Sequence, residues 1–255
     1  MAGEMLDGLV EHYKVSGWVS RWVAPGAINC MLGTHADAIF GDALSKGIDF
    51  DYENAFAASL KNSAVVSGNL DKGGRIETAS SVFRGYTSTS VHEGFSWGME
   101  DTVNDYNIYK MAEALGYTDE AAYYKNRALN YTNYFNKELG WYMGRNADGT
   151  FRYAGANADE YDPTAWHDKA HYDYCETNGW NMSFSAVQDV QGMANLYGGV
   201  DKAIKRLDGL FTADLRGKQI GQREAREVRL GQYNPTNEPS LHLAYMYAYL
   251  GQPYK

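Results

Sequence analysis

The chain has 255 residues, of which 44% are hydrophobic and 22% charged, and its formal net charge is -9. That is enough apolar material for one large domain or two small ones, and it excludes a disordered chain. The acidic balance and lack of a basic patch argue against nucleic acid as a partner, and no apolar run reaches the roughly 18 residues of a membrane span.

Helical spacing dominates. Met5, Leu6, Leu9, Val10 and Tyr13 predict a helix from the first residues onward. This N-terminus reads as helix interior, as if the chain began inside a longer one, and lacks the regions of a signal peptide. Ala36, Ile39, Phe40, Ala43 and Leu44 form a second apolar stripe, stopped by Gly47. Asp51 caps a third helix with Phe56 and Leu60 inward. Ile108, Met111, Ala112 and Leu115 mark a helix ended by Gly116, and Thr118 caps the next, whose buried face is Tyr124, Ala128, Tyr131 and Phe135. Further helices fit residues 187–197, 201–211 and 240–250. Short links at Gly116-Tyr117 and Gly198-Gly199 predict antiparallel helix pairs. The expected fold class is therefore all-α, built of helical hairpins. Residues 18–33, 67–94 and 141–180 read as long irregular stretches, a length that usually carries function.

Composition adds 21 Tyr and 6 Trp. Such rings have an apolar face and a polar tip, which suits a carbohydrate cleft, although for any single Tyr helix packing is the commoner role. Cys30 and Cys175 are too few for a disulfide framework, and whether they pair is left open. His and Cys spacing predicts no zinc site, and neither a phosphate loop nor a nucleophile elbow is present.

Four segments offer chemistry. In Tyr172-Asp173-Tyr174-Cys175-Glu176-Thr177-Asn178-Gly179-Trp180, Glu176 lies among aromatic residues, where burial can keep a carboxyl proton available as a general acid. The alternative is an acid that caps or solvates a loop. Asn237-Glu238-Pro239-Ser240 can present oxygens to a hard metal ion or a sugar, or can simply start a helix. His35 and Asp37, in Gly33-Thr34-His35-Ala36-Asp37, open a helix as sugar ligands or as capping groups. Acids from Glu100 to Asp105 read as complements to a helix dipole, and Asp189 as a buried, hydrogen-bonded acid that is structural or supports a ligand-contacting residue.

Taken in order, these segments resemble glycoside hydrolase family 92. The resemblance runs through Gly17-Trp18-Val19-Ser20-Arg21-Trp22, Cys30 to Asp37, Asp42 to Ile48, Glu100 to Tyr106, Glu176 to Trp180, Gln188 to Met193, Gly231-Gln232-Tyr233, Asn237 to Ser240 and Gly251 to Lys255. It implies an inverting, calcium-dependent exo-α-mannosidase with an (α/α)6 toroid preceded by a β-sandwich. On that basis residues 1–255 are expected to be a partial catalytic domain, incomplete at the C-terminus and without the sandwich. The resemblance assigns Glu176 as the general acid, Asn237 and Glu238 to Ca2+, and His35 and Asp37 to the sugar subsite. Trp22 and Trp180 would shape the same cleft. It places the general base in a Gly-Asp-rich segment beyond Lys255. Asn234-Pro235-Thr236 and Leu241 depart from the family pattern around the metal motif. The implied substrates are α-mannosides or N-glycans, with α-1,2 linkages foremost, and the implied location is extracellular or periplasmic. The competing expectations are a non-catalytic carbohydrate-binding module, an inactive fragment, or a different (α/α)6 enzyme.

Overall fold

The structure is a computed structural model that describes residues 1–214 and 230–255. It divides into two compact units: residues 1–87 with 97–131, and residues 88–96 with 132–255.

In the first unit, α1 (Ala2–Ser16) buries Leu6 and Val10, and Leu9 and Tyr13 pack beside them. It ends at Gly17, whose φ of 82° lets its N–H reach the Tyr13 carbonyl. The next stretch is not wholly irregular: β1 (Trp22–Val23) pairs antiparallel with β2 (Ala27–Ile28), with Trp22 opposite Ile28. Its two-residue strands are too short to show an alternating pattern. Helices α2 (Ala36–Ser45) and α3 (Tyr52–Ala64) follow, and Asp51 caps α3 by accepting from the Asn54 N–H at 3.2 Å. A further helix, α4 (Thr78–Arg84), occupies part of the stretch expected to be loop. Then come α5 (Gly94–Leu115) and α6 (Thr118–Arg127). Thr118 is the first residue of α6 rather than its cap, and Tyr117 holds the cap position without a side-chain bond. The stripes of α1, α2, α3 and α5 converge on one core that includes Phe40, Phe50, Phe56, Ile108 and Met111. Of the stripe expected to run from Tyr124 to Phe135 only Tyr124 joins it, because α6 ends at Arg127 and a 3-10 turn at Asn130–Tyr134 follows. Burying such side chains is worth roughly 1.5–3 kcal/mol each.

In the second unit, β3 (Phe135–Asn136) and β4 (Trp141–Tyr142) form a small antiparallel hairpin. Two 3-10 turns, Gly155–Glu160 and His167–Ala170, punctuate the long stretch that follows. Helices α7 (Gly179–Met182), α8 (Val190–Leu196) and α9 (Val200–Thr212) come next. Gly198 and Gly199, with φ of 90° and 117°, turn the chain so that α9 packs on α8. Asp189 is half-buried rather than buried and caps α8, accepting from the Gly192 N–H at 2.9 Å. The helix expected over 240–250 is broken into 3-10 turns at Glu238–Ser240 and Leu243–Tyr245 before α10 (Met246–Tyr249). Side chains pull it out of register: Ser240 Oγ donates to Asn181 Oδ1 at 2.8 Å, and His242 Nε2 lies 2.9 Å from the Phe184 carbonyl.

Several of the tyrosines are packing residues. Tyr134 and Tyr174 meet Phe95 edge-on at 5.1 and 5.2 Å, and Tyr142 meets Phe135 at 5.1 Å. The Tyr197 hydroxyl donates to the Ser183 carbonyl at 2.6 Å. Cys30 and Cys175 are not joined by a disulfide. Among the described residues no helix is long and apolar enough to cross a membrane.

Candidate active site

The candidate residues fall in both units. In the first, Arg21 organises the β1–β2 hairpin: its guanidinium donates to the Met31 carbonyl at 2.9 Å and the Leu70 carbonyl at 3.1 Å, contacts Asn29, and stacks 4.7 Å from the Trp97 ring centroid. Held this way, the hairpin leaves Trp22 49% exposed. Trp22 is thus an available aromatic face.

His35 precedes α2 without capping it, and its Nε2 lies 3.8 Å from Glu100 Oε2. Gly33 makes room for the ring: at φ 74°, an added Cβ would lie 2.5 Å from His35 Nε2. Burial holds the Glu100 carboxyl above the usual range, against the lowering effect of His35.

Asp37 differs from its expected role. It has no exposed surface, and its oxygens are taken by the Thr34 hydroxyl at 2.7 Å, Asn62 Nδ2 at 3.0 Å and Arg75 at 3.4 Å. Enclosed in this way, it holds Arg75 and cannot itself meet a sugar hydroxyl. Arg75 lies between Asp37, Asp101 at 3.3 Å and Asp105 at 2.7 Å, and Arg127 approaches Asp105 from the other side at 2.9 Å. Burial alone would lower the Arg75 pKa, but Asp101, Asp105 and Asp37 together raise it. Burial also raises Asp37, and it pushes Asp101 up to about 6 despite Arg75. The adjoining cavity, lined in part by Arg75, Asp101 and Arg127, measures about 30 Å³, room for about one water. The acids at 100–105 are therefore inside α5, not at its start, and Asp101 and Asp105 face an arginine rather than a helix dipole. Sequence reading missed Arg75; its only local signal is a lone arginine after Gly73-Gly74 in a long connection.

In the second unit the structure brings Glu176 and Asn237 together. Asn237 Nδ2 donates to the Glu176 carbonyl at 3.1 Å and to its Oε2 at 3.2 Å. The approach is built by a buried polar network. Asn178 caps α7 through the Asn181 N–H at 3.2 Å, and its Nδ2 donates to Gln232 Oε1 at 3.0 Å. Asn181 Nδ2 reaches the Gln232 carbonyl at 2.9 Å, and Ser240 closes the link onto Asn181. Asn178, Asn181 and Gln232 each bond another segment, so the spacing of the two segments is well specified. Glu176 is half-buried and holds φ 47°, a left-handed conformation costly for a residue with a Cβ. Neighbouring Asp173 is a structural acid: Arg152 grips it with two bonds of 2.5 and 2.6 Å. Burial raises its pKa, and Arg152 opposes that.

Trp180 packs inward more than expected. Its ring meets Trp141 edge-on at 4.8 Å and leaves only 3.1 Å to a Cβ added at Gly209 of α9. Glu238 is exposed and has no cation partner among the described residues. Asn237 Oδ1 accepts from the Glu238 N–H at 3.2 Å. The pair thus offers oxygen donors only, the chemistry a hard cation takes, and supplies part of the six to eight oxygens that calcium needs.

A secreted glycosidase from Arthroderma benhamiae, otherwise uncharacterised, is 24% identical over 96% of this chain and 33% of its own length. Two Bacteroides thetaiotaomicron structures each match 99% of the chain at 28% identity with a TM-score of 0.84. One is a family GH92 inverting mannosidase, of which 34% is covered; the other is a family GH92 α-mannosidase in complex with mannoimidazole, of which 32% is covered. The chain therefore spans about a third of the length of these relatives. The catalytic-domain model of glycosyl hydrolase family 92 matches residues 1–255, and the chain belongs to that family.

Proposed function

We propose that the protein carrying this chain removes terminal α-linked mannose from mannosides or N-glycans, with inversion and with α-1,2 linkages foremost. The observation that carries the reading is the Glu176 carboxyl, half-buried and held by one Asn237 amide hydrogen bond at 3.2 Å. A carboxyl so placed is fixed in direction yet open to a ligand, as a general acid on a glycosidic oxygen must be. Family membership supports the reading, and so do the solved mannosidases, one of them holding mannoimidazole. An inverting site pairs this acid with a base carboxylate roughly 6.5–9.5 Å away, across room for a water.

Asn237 and Glu238 would hold calcium. When bound, that ion supplies charge that grips sugar hydroxyls and favours ring distortion. Asn237 also ties the metal segment to the acid, because its amide nitrogen is spent on Glu176. Trp22 offers a stacking face and His35 a hydrogen-bonding ring to the same class of ligand. Action outside the cytoplasm follows from such substrates, and the Arthroderma relative is named as secreted.

The test uses the full-length protein on α-mannosides, with mannose release and the anomer formed read by NMR. Glu176→Gln is expected to lose about 10²–10⁴-fold in kcat, and Glu238→Ala to lose its calcium dependence. Wild-type turnover in Glu176→Gln rejects the acid. Glycan binding by calorimetry with no release in the unmodified protein makes this a binding module instead.

A further inference from the structure

Sequence spacing predicts no zinc site, yet the fold of the second unit assembles one set of ligand types. We propose that His92, Glu93 and His167 bind a transition-metal ion of the zinc type at the edge of the Glu176 loop. One ligand atom from each of the three lies within 4.8 Å of the others. Glu93 is central: its Oε2 is 3.7 Å from His92 Nδ1, and its Oε1 lies against the His167 ring, 3.6 Å from the Nδ1 corner.

Three features separate this cluster from a chance meeting of polar side chains. First, two imidazoles and one carboxylate are a common open zinc ligand set, with a fourth position for water. Second, the His167 ring is already oriented. Its Nδ1 lies 2.7 Å from the Tyr174 carbonyl; with the proton on Nδ1 that oxygen accepts it, and Nε2 is then the nitrogen that would ligate. Metal-ligating histidines are typically fixed by such a bond from the other nitrogen. Third, the backbone at Glu93 is fixed as well. It holds φ 59°, and its N–H donates to the Tyr172 carbonyl at 2.7 Å. Tyr172 in turn stacks on His92 at 5.1 Å and meets His167 edge-on at 5.0 Å.

Zinc with ligands at about 2.0–2.1 Å needs ligand atoms about 3.3 Å apart, so the cluster must tighten. His92 can supply that movement. Its side chain is 62% exposed, against 15% for Glu93 and 26% for His167. Nitrogen donors select zinc, copper or nickel over calcium, so this site is chemically distinct from the oxygen pair at Asn237 and Glu238.

The site has a consequence for the neighbouring loop. The His167 N–H donates to the Thr177 carbonyl at 3.1 Å. His171, Tyr172 and Glu176 all have positive φ. A metal on His167 would therefore clip a strained loop from its open side.

Equilibrium dialysis of the full-length protein against ZnCl₂, with excess CaCl₂ present, tests this directly. One zinc per chain is expected, with the thermal midpoint raised by several degrees at saturation. His92→Ala, a change at an exposed side chain that spares the fold, is expected to weaken zinc at least about 10-fold, and His167→Ala likewise. Glu238→Ala is expected to leave zinc binding unchanged. Absence of bound zinc overturns the proposal, as does equal binding by the His92→Ala/His167→Ala double variant or displacement of zinc by calcium. None of these readouts depends on mannoside hydrolysis.

Discussion

Asp37 and Glu176 are two acids that sequence reading marked for a sugar site, and their surroundings are opposites. Asp37 is fully enclosed, with Thr34, Asn62 and Arg75 on its two oxygens. Glu176 is half-buried, with one amide on Oε2. In the first case the protein has satisfied the charge, and the acid is part of a structural ion cluster. In the second, the protein fixes the direction of the carboxyl and leaves capacity for a ligand. A carboxylate therefore gains a chemical role from what is left unsatisfied, not from burial alone.

The contrast breaks most sharply at Arg75. Removing it as Arg75→Ala leaves Asp37, Asp101 and Asp105 crowded and buried, and is expected to cost about 3–5 kcal/mol in urea unfolding. A cost under about 1 kcal/mol would show that the cluster is open to water.

Asp101 sharpens the same comparison by pH. Its folded pKa, about 6, lies above the ordinary 3.8. The folded state thus holds this proton more tightly than the unfolded chain. The stability it contributes is full below about pH 4 and is lost as pH rises through about 6. Asp101→Asn, a permanent stand-in for the protonated form, should match the parent protein near pH 4 and exceed it by about 1–3 kcal/mol near pH 7. Thermal melts across that range test it, and a gain that shrinks with rising pH would reject the assignment.

Smaller effects probe local geometry. Gly33→Ala strains a φ of 74° and drives a methyl into the His35 ring. A cost of about 1–2 kcal/mol is expected, with the His35 ring signals displaced in NMR. Smallest is Glu176→Gly, which relieves the φ of 47° and is expected to stabilise by up to about 1 kcal/mol while abolishing turnover. A destabilisation instead would mean that the contact with Asn237 outweighs the backbone strain.

Much of the architecture was legible in residue spacing. The stripes through Leu6 and Val10, through Phe40 and Ala43, and through Ile108 and Met111 all face one core, because an apolar face at helical period has to be buried somewhere. Asp51 as a cap and Gly198-Gly199 as a link were equally local facts. The chemical motif around Glu176, Asn237 and Glu238 was readable as residue types in order.

Tertiary structure decided the rest. Whether an acid is a ligand or a brace depends on partners remote in sequence: Arg75 reaches Asp37, Asp101 and Asp105, and Asn237 reaches Glu176. His92 and His167 meet only because the chain folds back between them. The last helical segment broke into 3-10 turns because Ser240 bonds the Asn181 side chain and His242 the Phe184 carbonyl, both remote in sequence. Periodicity is a property of neighbouring residues and survives in the sequence alone. Hydrogen bonding and charge pairing are properties of residues brought together, so the sequence determines the elements and the folded chain determines their chemistry.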